Sequence, residues 1–105
     1  MVKAKKDSTQ YHKDLIESLK DPEEASEYLK AALEENDMPS VFLLALRNVA
    51  EARGISQLAK DARLNRENLY KILSTQGNPE LASLYAILNA LGLKLSIERK
   101  NNNLY

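Results

Sequence analysis

The sequence predicts an all-α fold, and three observations carry that expectation. Apolar residues recur at helical spacing in successive stretches. Caps, prolines and glycines stand where helices should start and stop. Only one short segment, Leu93-Lys-Leu-Ser-Ile-Glu-Arg99, alternates apolar and polar residues as a half-buried strand does.

The elements follow in order. Residues 1–20 read as a polar N-terminal arm, either a frayed helical extension or a segment that orders only on a partner, with a weak apolar register at Tyr11, Leu15, Ile16 and Leu19. Residues 21–100 read as one helical domain. Its first helix opens at Asp21-Pro22-Glu23-Glu24, where Asp21 caps, Pro22 suits the first helical position and Glu24 completes a capping box. Ala25, Tyr28, Leu29, Ala32 and Leu33 form its core-facing stripe, and Asn36-Asp37 breaks it. The next helix runs from Pro39 to Arg53, with Phe42, Leu43, Leu46, Val49 and Ala50 inward and Gly54 as its left-handed stop. Ser56 is expected to cap a short helix through Ala62, and Asn65 another through about Ser74. Asn78-Pro79-Glu80 repeats the cap-then-proline start for a last helix that buries Leu81, Leu84, Tyr85, Leu88 and Leu91 and ends at Gly92. The alternating segment 93–99 is expected to be a strand. A lone strand leaves a row of unpaired backbone donors and acceptors, so it calls for the same strand of a second copy across a two-fold axis. Leu93, Leu95 and Ile97 are then the dimerisation residues. Residues 101–105 read as a disordered tail.

Residues 56–75 are the most informative stretch. Two short helices joined by a tight turn, the second with a polar and mostly basic outer face, read as the recognition head of a helix-turn-helix DNA-binding protein. Leu58, Ala59, Ala62, Leu64, Leu69, Ile72 and Leu73 are its structural residues. Asn65, Arg66, Glu67, Asn68, Tyr70 and Lys71 remain outside. Arg66 can donate two hydrogen bonds to guanine, Asn68 suits adenine, Glu67 can accept from cytosine, and Lys71 reaches a base edge or a phosphate. Gln57 opens the first helix beside a candidate phosphate, and Gln76-Gly77-Asn78 offers a second phosphate clamp.

Bulk properties narrow the function. With 105 residues the chain fits a single domain. It has no cysteine, hence no disulfide, no thiolate nucleophile and no Cys-based zinc site. An apolar leader and an apolar run of membrane-spanning length are both missing, which points to a soluble, cytoplasmic protein. His12 is the one histidine, and no phosphate-binding glycine loop or catalytic pairing of carboxylates is visible. An enzyme is therefore a poor reading, and no cofactor or metal is implied. Net charge is zero but unevenly placed. Residues 1–40 hold ten acids against six lysines, a net −4, whereas residues 41–105 hold nine bases against five acids, a net +4. That asymmetry suggests two surfaces with different partners.

Residues 56–91 resemble the Cro/C1-type (XRE) helix-turn-helix, whose five helices surround the recognition head. The wider pattern covers roughly residues 11–98. It comprises Leu19-Lys-Asp-Pro-Glu-Glu-Ala25, Tyr28-Leu29, Ala45-Leu46, Val49-Ala-Glu-Ala-Arg-Gly54 and Leu91-Gly-Leu-Lys-Leu95, and it resembles HigA-like addiction-module antidote proteins. The resemblance implies a type II antitoxin that neutralises a small RelE/HigB-like ribonuclease toxin. It also implies a homodimer that represses its own operon at palindromic operator DNA. Family DNA contacts map onto Gln57, Arg66, Glu67, Asn68 and Lys71. An RNA-binding toxin should be basic and complementary to the acidic half, which makes Tyr11, Leu15, Leu19, Glu23 and Glu27 the candidate toxin-binding residues. Two departures stand out. Glycine is frequent in the family's inter-helix turn, where this chain has Ala62-Arg63, so either Arg63 is left-handed or the turn differs slightly from the family's. Leu73 stands where an acid is common. The alternatives are a stand-alone repressor and a protein-binding module that has lost DNA binding.

Overall fold

A computed structural model describes residues 8–34, 38–74 and 76–100. Six helices succeed one another: α1 (Ser8–Ser18), α2 (Pro22–Glu34), α3 (Pro39–Arg53), α4 (Ile55–Ala62), α5 (Arg66–Ile72) and α6 (Leu81–Ala90). Among the described residues there is no strand. The all-α expectation holds at that level.

The core begins with α3. Leu43, Ala45, Leu46, Val49 and Ala50 are buried along it, with α2 packed on one side and α1 and α4 also against it. Helix α4 is the hub of the second half, since it packs on α3, α5 and α6. Leu46, Leu58, Leu69, Leu73 and Ile87, drawn from α3 to α6, are wholly buried. Each such side chain contributes roughly 1.5–3 kcal/mol relative to exposure. The one buried polar residue among those described, Asn48, donates from its amide to the Tyr28 hydroxyl at 2.9 Å and so joins α3 to α2.

Local signals set most helix ends. Asp21 caps α2 as expected, its carboxylate accepting from the Glu23 N–H at 3.0 Å. Gly54, at φ 102°, closes α3 and also opens α4: its carbonyl accepts from the Leu58 N–H at 2.9 Å. The expected cap at Ser56 is thus displaced by two residues. Starting at Ile55 lets that apolar side chain enter the core. Helix α6 ends in a Schellman arrangement, with Gly92 at φ 78°, the Gly92 N–H on Asn89 and the Leu93 N–H on Leu88. Arg53 adds a cation there, donating to the Ala90 carbonyl at 2.9 Å and the Leu91 carbonyl at 3.2 Å.

Four sequence expectations need correction. Helix α6 does not start at Asn78-Pro79, because Glu80 keeps an extended backbone with ψ 150° and the helix opens at Leu81. Its buried face is Ile87, Leu88 and Leu91, while Leu81 and Tyr85 are exposed. Nearly every position of α6 is apolar, so periodicity alone cannot choose the inward face. On α2, Leu33 ends the expected stripe but is half exposed. Residues 93–100 have no regular structure in the single chain, since a strand needs a hydrogen-bonded neighbour and none of the described elements supplies one. Leu93 packs on the core, Leu95 is partly exposed, and Ile97 stands 98% exposed. Residues 1–7, 35–37, 75 and 101–105 lie outside the described residues, including the expected helix break at Asn36-Asp37 and the C-terminal tail.

Candidate nucleic-acid interface

The pair α4–α5 is built from the inside outward. Leu58, Ala59 and Ala62 turn one face of α4 inward, and Leu69, Ile72 and Leu73 answer from α5 and its end. All six are buried as the sequence predicts. The turn between them is made by Arg63, whose φ 59° and ψ 41° place it in the left-handed region. Its N–H bonds the Lys60 carbonyl at 3.2 Å, and the Leu64 N–H bonds the Ala59 carbonyl at 2.9 Å. This is a Schellman motif with arginine where glycine is usual. Asn65 then adopts an extended backbone and caps α5, its side-chain oxygen accepting the Asn68 N–H at 2.6 Å.

The outer face of α5 is continuous. Asn65, Arg66, Glu67, Asn68, Tyr70 and Lys71 are all exposed and lie within two helical turns. Gln57 is exposed on α4 and donates to the Asp61 carboxylate at 2.9 Å. Gln76 and Asn78 are exposed on either side of Gly77. That glycine is required: an added Cβ would sit 2.6 Å from the Ile72 carbonyl oxygen, near those of Lys71 and Ser74. Gln76 and Asn78 are thereby held against the C-terminal end of α5.

Sequence reasoning missed Arg47. It lies on the outer face of α3, and its guanidinium stands 5.9 Å from the centroid of the Tyr70 ring. The Arg66 guanidinium stands 5.8 Å from the same centroid. The helical register of α3 already placed Arg47 outside the core. Its meeting with Tyr70 depends on how α3 and α5 are arranged, which no local pattern encodes.

Other candidate residues are spread elsewhere. Tyr11 is exposed on α1, and Glu23 and Glu27 are exposed on α2. Leu15 is half-buried and Leu19 only 5% exposed, so both face the core. His12 on α1 meets the Glu51 carboxylate of α3 at 3.0 Å. A groove of about 750 Å³ runs between α2 and residues 93–100 and is lined by Leu29, Leu33, Phe42 and Leu95 among others. No group of three or more His, Asp or Glu side chains among the described residues is placed to hold a metal ion. No helix among them is long and apolar enough to cross a membrane.

These features define the class: a small all-helical protein that presents a capped, polar helix beside a tyrosine flanked by two arginines. The chain belongs to the family of probable addiction module antidote proteins, whose model matches residues 9–99. That match spans nearly all of α1 through α6 and the alternating segment after it. A Haemophilus influenzae protein described only as uncharacterized is 40% identical over 86 residues, which cover 82% of this chain and 88% of the relative. No solved structure matches the chain. The antidote resemblance is therefore borne out at the level of the family.

Proposed function

We propose that the protein is a cytoplasmic, HigA-like antitoxin with a Cro/C1-type (XRE) helix-turn-helix at α4–α5. In this reading it represses its own operon as a dimer on operator DNA and neutralises a RelE/HigB-like ribonuclease toxin. The observation that carries the DNA half is the outer face of α5, where a cap, a left-handed turn and a buried side hold Arg66, Glu67, Asn68, Tyr70 and Lys71 outward on one short helix. A helix so presented suits the major groove. Its first turn meets base edges, and Gln57, Gln76 and Asn78 suit flanking phosphates.

The toxin half is supported by family membership and by the acidic half of the chain. A ribonuclease grips an anionic substrate, so an acidic helical surface complements it. Tyr11, Glu23 and Glu27 offer contacts on that surface, while Leu15 and Leu19 anchor α1 beneath it. Pairing of residues 93–99 with a second copy through Leu95 and Ile97 would complete the dimer and set two recognition helices one helical turn (~34–36 Å) apart.

Gel shifts on the promoter duplex upstream of this gene test the DNA half. Arg66→Ala should weaken operator binding and relax its specificity, whereas Gln57→Ala should weaken all sequences alike. If both variants shift the promoter as the parent protein does, α5 is not the reading element. Co-purification with the product of the neighbouring gene tests the toxin half. Affinity unchanged on deleting residues 1–36 would remove the acidic surface from that contact.

A further inference from the structure

Tyr70 is flanked by two guanidinium groups from different helices, Arg47 of α3 at 5.9 Å and Arg66 of α5 at 5.8 Å. Two like charges on one ring repel each other. The ring's negative face offsets part of that repulsion and limits where each guanidinium can lie. Lys20 and His12 each meet a carboxylate at 3.0 Å, Glu17 and Glu51 respectively. Among the described residues, no carboxylate lies within ion-pairing distance of Arg47 or Arg66. Both arginines are exposed, so their forked donors remain available. The cluster presents two cations on one aromatic ring, a combination that suits an anionic partner.

Its place in the fold says which anion. Arg66 begins the helix whose outer face is proposed to enter the groove. Arg47 comes from a neighbouring helix outside that pair, and a side chain flanking a groove-bound helix meets the strand backbone rather than base edges. A basic toxin surface would be repelled by the same cluster.

We propose that Arg47 is a phosphodiester contact of duplex DNA, and that Tyr70 is the positioning residue whose ring orients Arg47 toward the backbone and Arg66 toward the bases. This rests on the DNA-binding reading above. The two are separated by measuring affinity against salt for the promoter duplex and for an unrelated duplex of equal length.

Arg47→Gln should weaken both duplexes alike, lower the salt slope by about 1 and shrink the affinity lost between 50 and 200 mM salt about threefold, the share of one phosphate. Arg47→Lys should restore the slope. Tyr70→Leu, which removes the ring, should lower both the slope and the preference for the promoter, and Tyr70→Phe, which keeps the ring, should rescue part of both losses. Because Arg47 is exposed, its variants should keep the parent's thermal midpoint, which a melting curve checks. If the parent protein has no salt-dependent affinity for either duplex, the DNA-binding reading falls and this inference with it. If it binds and Arg47→Gln leaves the slope unchanged, only the Arg47 assignment falls. A loss confined to the promoter duplex would make Arg47 a base contact and overturn the phosphate role.

Discussion

Arg63 holds the sharpest conflict between residue type and backbone. An L-residue in the left-handed region costs roughly 1–2 kcal/mol, because its Cβ crowds the following carbonyl. Glycine avoids that cost but gives up roughly 0.5–1 kcal/mol of extra chain entropy on folding. The net favours glycine, so Arg63→Gly should stabilise the protein by about 0.5–1 kcal/mol and raise the thermal midpoint by roughly 2–8 °C. Arg63→Val should lower it, since a branched Cβ is least tolerated there. A midpoint unchanged or lowered in the glycine variant would mean that the Arg63 side chain makes a stabilising contact in the turn. Two residues further on, Asn65→Ala removes the acceptor for the Asn68 N–H. It should cost about 1 kcal/mol by chemical denaturation. Both conformations are legible in the sequence, the first only in part. At 63 the resemblance, with glycine usual in the turn, points to a left-handed residue as one of two possibilities, and at 65 a short side chain with an oxygen acceptor suits the cap of α5. The role of Arg47 is not legible, because nothing near it in sequence announces a tyrosine 23 positions away.

At the scale of the helix, the readable elements are those with one apolar side and clear punctuation. Helix α4 separates its two sides cleanly, and every residue expected to be inside is buried. Helix α6 offers apolar residues nearly all round, so two overlapping stripes fit equally well, and packing against α4 selects Ile87, Leu88 and Leu91. The exposed Leu81 and Tyr85 mark the face left over. This difference has a measurable form. Ile87→Ala should cost about 2–5 kcal/mol by chemical denaturation, as expected for a fully buried aliphatic side chain. Leu81→Ala should stay within about 0.5 kcal/mol of the parent protein, as surface substitutions do. Equal losses at the two positions would contradict the assigned face. Segment 93–100 departs from its expected strand for a related reason. Alternation reports a surface suited to half-burial but does not supply the neighbour that makes a strand.

For the whole molecule, Ile97 is the position at which the proposed assembly can be challenged. It is 98% exposed in the single chain, and the alternating pattern puts it on the same side as Leu93 and Leu95. If two copies pair through this segment, Ile97→Asp should shift the mass measured by light scattering from dimer to monomer and weaken promoter binding with it. A dimer mass retained in the variant would place the contact elsewhere. The division of charge, mostly acids before residue 41 and mostly bases after it, leaves two proposed surfaces on one small body. Asn48 sits at their junction: its amide is bonded to Tyr28 on the acidic α2, while the adjacent Arg47 reaches Tyr70 on α5. Parting α2 from α3 would leave a buried amide without its acceptor, at a cost of roughly 1–3 kcal/mol. The Asn48–Tyr28 bond thus ties the acidic α2 to the helix that carries Arg47 to the tyrosine of α5.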